Sequence, residues 1–227
     1  QGDYFQPTRG GGHGDYRMIV LAPSSVQEMY DLTCLAFNLS DKYRNPAMIL
    51  GDALIGQMKE PLIRKKCAKI DLPPKDWALT GAQGRKPNRL KSLYLQDGEL
   101  SEHNWKLHQK YEQMKKEEVR FESFFTEDAK LIVAAFGSMA RVSKTSVELA
   151  REEGMKVGLL RPITLFPFPE KALYDFSQRV KLFLTVELNT GQMVEDVKLS
   201  VERDAQVYFY GRPPGSLPSP EEVLEEI

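Results

Sequence analysis

Thr8-Arg9-Gly10-Gly11-Gly12-His13-Gly14-Asp15-Tyr16 brings four glycines, a histidine and a carboxylate into nine residues. Glycine lets backbone approach a ligand closely, and histidine trades a proton near neutral pH. The string is not a Walker loop, because no Gly-Lys-Ser/Thr closes it. It is not the dinucleotide fingerprint either, because Asp15 stands where the last glycine belongs. It also precedes an apolar run of strand type, whereas phosphate-cradling loops follow one. Two readings stay open: a mobile surface loop, and backbone shaped around a ligand. Three other places carry polar groups where a strand meets a helix or turn. Gly51-Asp52 is either a strand-ending turn or a carboxylate facing a ligand crevice. Gly137-Ser138 opens a helix, and a capping role accounts for Ser138. Glu187-Leu188-Asn189-Thr190-Gly191-Gln192-Met193 is either a cap and turn, or a subunit-interface or ligand contact through Glu187, Asn189, Gly191 and Gln192.

Much chemistry is excluded. No Gly-x-Ser-x-Gly elbow, Cys–His nucleophile pair or metal-ligand cluster appears. His103 and His108 lie five apart on a charged helical stretch, a poor spacing for a shared metal. Cys34 and Cys67 are too few for a disulfide scaffold, a four-thiolate zinc site or an iron–sulfur cluster. Cys34 falls within an amphipathic helical pattern and reads as a buried thiol, so a reducing cytoplasm is the simplest compartment. Thirty-one basic and 32 acidic side chains leave a net charge of −1, which argues against a general nucleic-acid binder. No apolar run approaches the ~18 residues of a membrane span, and no signal peptide is evident. The first residues are Gln1-Gly2-Asp3, so the 227 residues read as part of a longer polypeptide.

The elements that position these groups alternate between strand and helix. Met18–Ala22 is a short strand. Ser24 and Ser25 stand three residues before Gln27 and Glu28, so either suits a capping box. Val26, Met29, Thr33 and Phe37 then share one helical face. Asn45-Pro46 stops the helix, and Ala47–Leu50 is a second strand, making a βαβ unit with parallel strands. The next stretch changes character. Leu62 to Lys91 holds nine cations (Arg64, Lys65, Lys66, Lys69, Lys75, Arg85, Lys86, Arg89, Lys91) against Asp71 and Asp76. It also carries Pro73-Pro74, Gly81, Gly84 and Pro87, and it reads as a long surface connector or partner-contact arm. Ser101 to about Arg120 is helical, with Leu107, Tyr111 and Met114 on one face. Four further strands follow (Leu131–Phe136, Val157–Leu160, Leu182–Glu187, Gln206–Tyr210). They alternate with helices after Ser138, over Glu170–Gln178 and Thr190–Val201, and a last helix covers Pro220–Ile227. Met139, Val142, Ser146 and Leu149 mark an inward stripe. This is the pattern of an open, mainly parallel sheet, whose ligands meet the carboxyl ends of the strands.

Longer strings narrow the reading. Asp3–Tyr16 and Leu21–Met29 closely resemble the alpha subunit of 2-oxoacid:ferredoxin oxidoreductases, the branched-chain (2-oxoisovalerate) type fitting best. The resemblance continues through Arg44–Asp52, Asp76–Gly81, Arg161–Pro169 and Val186–Asp196, nearly the whole chain. It implies an α/β fold in three parts: residues 1–60 as the C-terminal part of a pyrimidine-type thiamine diphosphate-binding domain, 61–128 as a basic connector and helix, and 129–227 as a transketolase C-terminal-like parallel-sheet domain. It also implies oxidative decarboxylation of a branched-chain 2-oxoacid to an acyl-CoA, with electrons passed to ferredoxin in anaerobic metabolism. The implied thiamine diphosphate is shared with a partner subunit. Mg2+ and iron–sulfur clusters belong to partner subunits (beta, gamma and ferredoxin-like), and CoA is a substrate; no nucleic acid or membrane is involved. The family's substrate motif and its activating glutamate are expected upstream of Gln1, so this span alone is expected to be inactive. Asp3, Gly10, Gly11, Gly12, His13, Asp15, Gly51 and Asp52 are the residues expected near substrate or cofactor. A non-catalytic docking module, or the beta component of a thiamine-dependent dehydrogenase complex, are the alternatives.

Overall fold

The computed structural model describes residues 1–227 except Lys69; that member of the basic stretch lies outside the described residues. A short helix α1 (Phe5–Thr8) and a 3-10 turn over Gly10–Gly12 lead into strand β1 (Ile19–Leu21). Helix α2 (Val26–Tyr43) follows, then β2 (Ala47–Ile49) and α3 (Ala53–Gln57). Strands β1 and β2 pair in parallel, as a βαβ unit requires. Ser25 caps α2 by accepting the Glu28 N–H at 3.1 Å. The reciprocal half of a box is displaced by one residue, because Glu28 accepts the Ser24 N–H instead.

The hydrophobic period fixed α2 as a helix but not its rotation. Leu32, Ala36, Leu39 and Tyr43 are the buried positions, while Thr33 is exposed and Phe37 is 74% exposed. The stripe Val26–Met29–Thr33–Phe37 therefore lies away from the core. Apolar residues occur on more than one side of this helix, so the spacing alone did not choose between faces.

Among the described residues of 58–98 there is no regular element. Helix α4 (Glu99–Glu117) then returns the chain to the core through Tyr111 and Met114. Next come β3 (Phe121–Phe124), β4 (Leu131–Ala135), α5 (Gly137–Glu152), β5 (Val157–Pro162), β6 (Thr164–Phe166) and α6 (Glu170–Ser177). The chain closes with β7 (Leu182–Glu187), α7 (Met193–Ser200), β8 (Gln206–Gly211) and α8 (Pro220–Glu226). A five-stranded sheet has the order β3-β5-β4-β7-β8; it is parallel except for the edge strand β3, which runs antiparallel to β5. Alternate residues of β4 serve opposite cores, because side chains alternate across a strand. Ile132 and Ala134 join one hydrophobic cluster, and Val133 and Ala135 join another with α5 and α8.

Two short strands escaped the sequence pattern. β3 lies on an edge and is largely exposed. β6 leaves the large sheet straight after β5 and pairs antiparallel with β1, giving the small sheet the order β2-β1-β6. The first cluster accordingly contains Val20 and Leu21 of β1, Ile132 of β4, Phe183 of β7 and Leu165 of β6. The two α/β units share a continuous core.

Cys34 and Cys67 are joined as a disulfide. Cys34 is thus not a buried free thiol: it is half-buried on α2, and Cys67 is exposed. Thirty-three residues separate the pair in sequence, and only the return of the connector along α2 brings them together. No helix among the described residues is long and apolar enough to cross a membrane.

Candidate functional site

The carboxyl ends of β2, β4 and β7 point at one place, and the first residues of the chain fill it. Asp52, just after β2, caps α3 by accepting the Ile55 N–H at 3.1 Å. Its other oxygen accepts the Ser138 N–H at 2.8 Å, in the first turn of α5. One carboxylate therefore serves two helix N-termini, where partial positive charge favours it. Ser138 is not the N-cap of α5: Phe136 holds that position, and the Ser138 hydroxyl is buried without a partner. The cap comes from Asp52, 86 residues away. Gly137 makes this approach possible. Its φ is +58°, and a Cβ there would stand 2.8 Å from the Asp52 carboxylate and 2.9 Å from the Gln1 amide.

Glu187 ends β7 fully buried. Its carboxylate accepts the backbone N–H groups of Met193 at 2.8 Å and Val194 at 2.9 Å, and that of Gln192 at 3.2 Å. The Asn189 amide donates to it at 2.9 Å. These bonds satisfy the orphan donors that begin α7. Asn189 also folds the turn, its side-chain oxygen accepting the Gly191 N–H at 2.7 Å. The same loop holds the chain's first residues. Leu188 N–H donates to the Gln1 side chain at 3.0 Å, Asn189 donates to the Gln1 carbonyl at 3.2 Å, and Gln192 bridges the Gly2 carbonyl and the Phe5 N–H. Behind them Tyr4 is fully buried and donates its hydroxyl to Asp196, which also pairs with Arg9 at 2.8 Å. Burial, reinforced by the Asp196 charge, pushes the Tyr4 phenol well above its ordinary range.

The glycine-rich stretch lies apart from this junction. Gly11, Gly12, His13 and Asp15 are exposed, and no hydrogen bond or ion pair among the described residues ties them to Asp52, Glu187 or Asn189. Gly10 is buried against the Tyr16 carbonyl, 2.6 Å from where a Cβ would stand. Asp15 instead lines a groove of about 800 Å³ with Arg17, Trp105, His108 and Phe166. Asp3 is exposed, and Gly51 sits beside Met29. Of the residues expected at a site, the structure thus gathers Asp52, Glu187, Asn189, Gly191 and Gln192, and leaves Asp3, Gly10, Gly11, Gly12, His13 and Asp15 outside that network.

A second polar centre lies where β5 meets the start of α2, and the sequence patterns did not single it out. Arg161 is 4% exposed. Its guanidinium makes a bidentate pair with Glu28 at 2.8 and 2.9 Å and donates to the Ser24 hydroxyl. Its Nε lies 3.3 Å from Glu122, near enough for ion pairing but without hydrogen-bond alignment. Arg141 on α5 completes the seam with Glu60 at 2.6 Å. Burial pushes the Glu28 carboxyl up, but hydrogen bonds from Arg161 and Ser24 outweigh it and hold the group below its usual range. In the sequence, Ser24 and Glu28 are legible only as helix-capping candidates and Arg161 only as part of the Arg161–Pro169 string.

The class of protein follows from two bodies that share one core, a small βαβ unit and a five-stranded sheet parallel but for its edge strand, taken with the families they match. Residues 1–122 match the thiamine diphosphate-binding domain of pyruvate flavodoxin/ferredoxin oxidoreductases, and residues 129–223 match pyruvate:ferredoxin oxidoreductase core domain II. The chain belongs to the 2-oxoacid:ferredoxin oxidoreductase family. Over 228 aligned residues it is 46% identical to ketoisovalerate oxidoreductase subunit VorB of Methanothermobacter marburgensis, covering 100% of this chain and 64% of that protein. It is 34% identical to 2-oxoglutarate synthase subunit KorA of Archaeoglobus fulgidus, covering 100% and 65%. The chain thus spans about two-thirds of the length of these relatives. The 46%-identical relative carries the name subunit VorB, which conflicts with the alpha label suggested by the strings. The 2-oxoglutarate:ferredoxin oxidoreductase of Magnetococcus marinus, solved with 2-oxoglutarate, coenzyme A and succinyl-CoA bound, has the same fold, with a TM-score of 0.83 at 21% identity; the match covers 100% of this chain and 44% of that one.

A thiamine ring needs a buried carboxylate free to hold its pyrimidine, and a diphosphate needs a metal site. Among the described residues the buried carboxylates are Glu118 and Glu187. Glu187 is consumed by α7, and Glu118 by Lys42, Tyr43 and Arg120. No group of three or more His, Cys, Asp or Glu stands ready for a metal among these residues. The described residues therefore do not by themselves fit the cofactor.

Proposed function

We propose that this chain is part of a subunit of a CoA-acylating 2-oxoacid:ferredoxin oxidoreductase that acts on a branched-chain 2-oxoacid. The observation that carries the reading is 46% identity to a ketoisovalerate oxidoreductase subunit along the whole chain, against 34% to a 2-oxoglutarate synthase subunit. Both α/β units match successive domains of that family, which supports the same reading. Thiamine diphosphate, when bound, supplies the electron sink for decarboxylation. The contribution of these residues is structural: the Asp52–Gln1–Glu187 junction fixes the two units as one wall. On this reading, partner subunits complete the cofactor cleft and hold Mg2+ and the iron–sulfur clusters, and Asp3 with the Gly10–Asp15 stretch borders that cleft. Ferredoxin takes the electrons. The test is viologen reduction by the native complex with CoA, thiamine diphosphate and 3-methyl-2-oxobutanoate, pyruvate or 2-oxoglutarate. The branched substrate should be fastest. Preference for 2-oxoglutarate removes the branched-chain assignment, and no turnover with any of the three removes the enzyme reading.

A second reading, a module that only docks subunits, draws on the consumption of every described buried carboxylate by structural bonds. Full activity of the complex after replacing Gly11, Gly12 and His13 favours it.

A further inference from the structure

Between Glu60 and Trp77 the described residues of the connector are not loose beside α2; they follow the helix in register. The Val26 N–H donates to Glu60 at 2.9 Å. Gln27 exchanges two bonds with Ile63, at 2.9 and 3.2 Å. Tyr30 donates to the Lys65 carbonyl at 2.8 Å, and Asn38 to the Ala68 carbonyl at 2.8 Å. Lys75 pairs with Asp41 at 2.7 Å, and Arg44 stacks over Trp77 at 4.6 Å. Helix positions 26, 27, 30, 38, 41 and 44 rise along one side of α2, and their partners rise in the same order along the arm.

Cys34 and Cys67 fall in the middle of this ladder, with Cα atoms 5.5 Å apart. The bonds of Tyr30 and Asn38, one helical turn to either side, hold the same register without the sulfurs. The 5.5 Å separation lies within the span a disulfide bridges. The accessibility of the two sulfurs differs. Cys67 is exposed and follows Arg64, Lys65 and Lys66, also exposed, which draw an anionic disulfide such as oxidised glutathione toward it. Cys34 is half-buried on the helix.

We propose that Cys34 and Cys67 form a reversible thiol–disulfide clasp that fixes the basic arm to α2 when a small disulfide oxidant is present and frees it when thiols prevail. The Cys67 thiolate attacks one sulfur of oxidised glutathione and releases one glutathione thiolate, giving a mixed disulfide. The Cys34 thiolate then attacks the Cys67 sulfur and releases the second. Two protein thiols and one glutathione disulfide become one protein disulfide and two glutathione thiols, so atoms and electrons balance. Without the clasp, the arm is held in this stretch by surface hydrogen bonds and an exposed ion pair, which are individually weak.

The test uses the purified chain equilibrated at set ratios of reduced to oxidised glutathione, quenched with an alkylating agent and digested with trypsin. The peptide Met18–Lys42 should appear linked to Cys67–Lys69 in proportion to the oxidised fraction, and separate again with dithiothreitol. In the native protein, brief trypsin treatment should cut after Arg64, Lys65 and Lys66 about ten-fold more slowly in the oxidised state, since cleavage follows local opening. Cys34→Ser should abolish the linked peptide and the protection together, while Cys67 still takes up glutathione. Absence of the linked peptide at every ratio overturns the clasp. So does equal arm cleavage of Cys34→Ser and the unmodified protein under oxidising conditions. Neither readout depends on turnover.

Discussion

Replacing Arg161 by methionine tests whether the buried ion pair ties the two α/β units together. The side chain keeps most of its length but loses its charge, and Glu28 loses its bidentate partner. Glu28 then remains charged in a groove where Glu60, Glu122 and Glu148 stand against only Arg141 and Lys144. Removing one member of a buried pair costs about 3–5 kcal/mol. The Glu28 side chain is 27% exposed, so water recovers part of that, leaving roughly 2–4 kcal/mol. Adding Glu28→Gln removes the stranded charge, and the double variant should regain about half the loss. Urea unfolding of the parent, both single variants and the double variant at pH 7 gives the coupling directly. The pH dependence carries a definite sign. Glu28 is held below its ordinary 4.5 in the folded state. Its stabilisation is therefore complete above pH 4.5 and is lost as pH falls through the lower folded value. The gap between parent and Arg161→Met should narrow steadily below pH 4.5. A loss under about 1 kcal/mol at pH 7, or a double variant no better than Arg161→Met, refutes the reasoning.

Glu187→Ala strands the N–H groups that open α7 and should cost about 3–5 kcal/mol in denaturant unfolding, whereas Glu187→Gln keeps an acceptor and should cost about 1–2. Gly137→Ala places a methyl against the Asp52 carboxylate at a left-handed φ; thermal unfolding should show a loss of about 1–3 kcal/mol. Hydrogen bonds from Tyr43, Gln113 and Lys42 lower the Glu117 carboxyl to about 2. Carbon-13 NMR titration should find it there, and Tyr43→Phe should raise it toward 4.5; an unmoved value would show that the Tyr43 hydroxyl is not its main partner.

Strand β4 and helix α7 show what the sequence alone determined. The run Leu131–Phe136 could be a strand buried on both faces because every position is apolar, and β4 is that strand with its faces in two separate cores. Likewise Glu187, Asn189 and Gln192 were legible as a cluster, because strand end, turn and helix start are neighbours in the chain. Their partners were not legible. Asp52 caps a helix 86 residues away, and Arg161 reaches Glu28 across 133 residues. β6 is three residues long and has no periodicity to read; it is a strand only because β1 lies beside it. The same holds for α2, whose period is local but whose rotation is set by what packs on it, and for Cys34 and Cys67, which meet because the arm follows the helix. Local patterning specifies elements, since it depends on bonds and side-chain spacing within a few residues. Which buried charge faces which helix end is decided only by the folded chain, where an unpaired group buried away from water costs too much to remain unpaired.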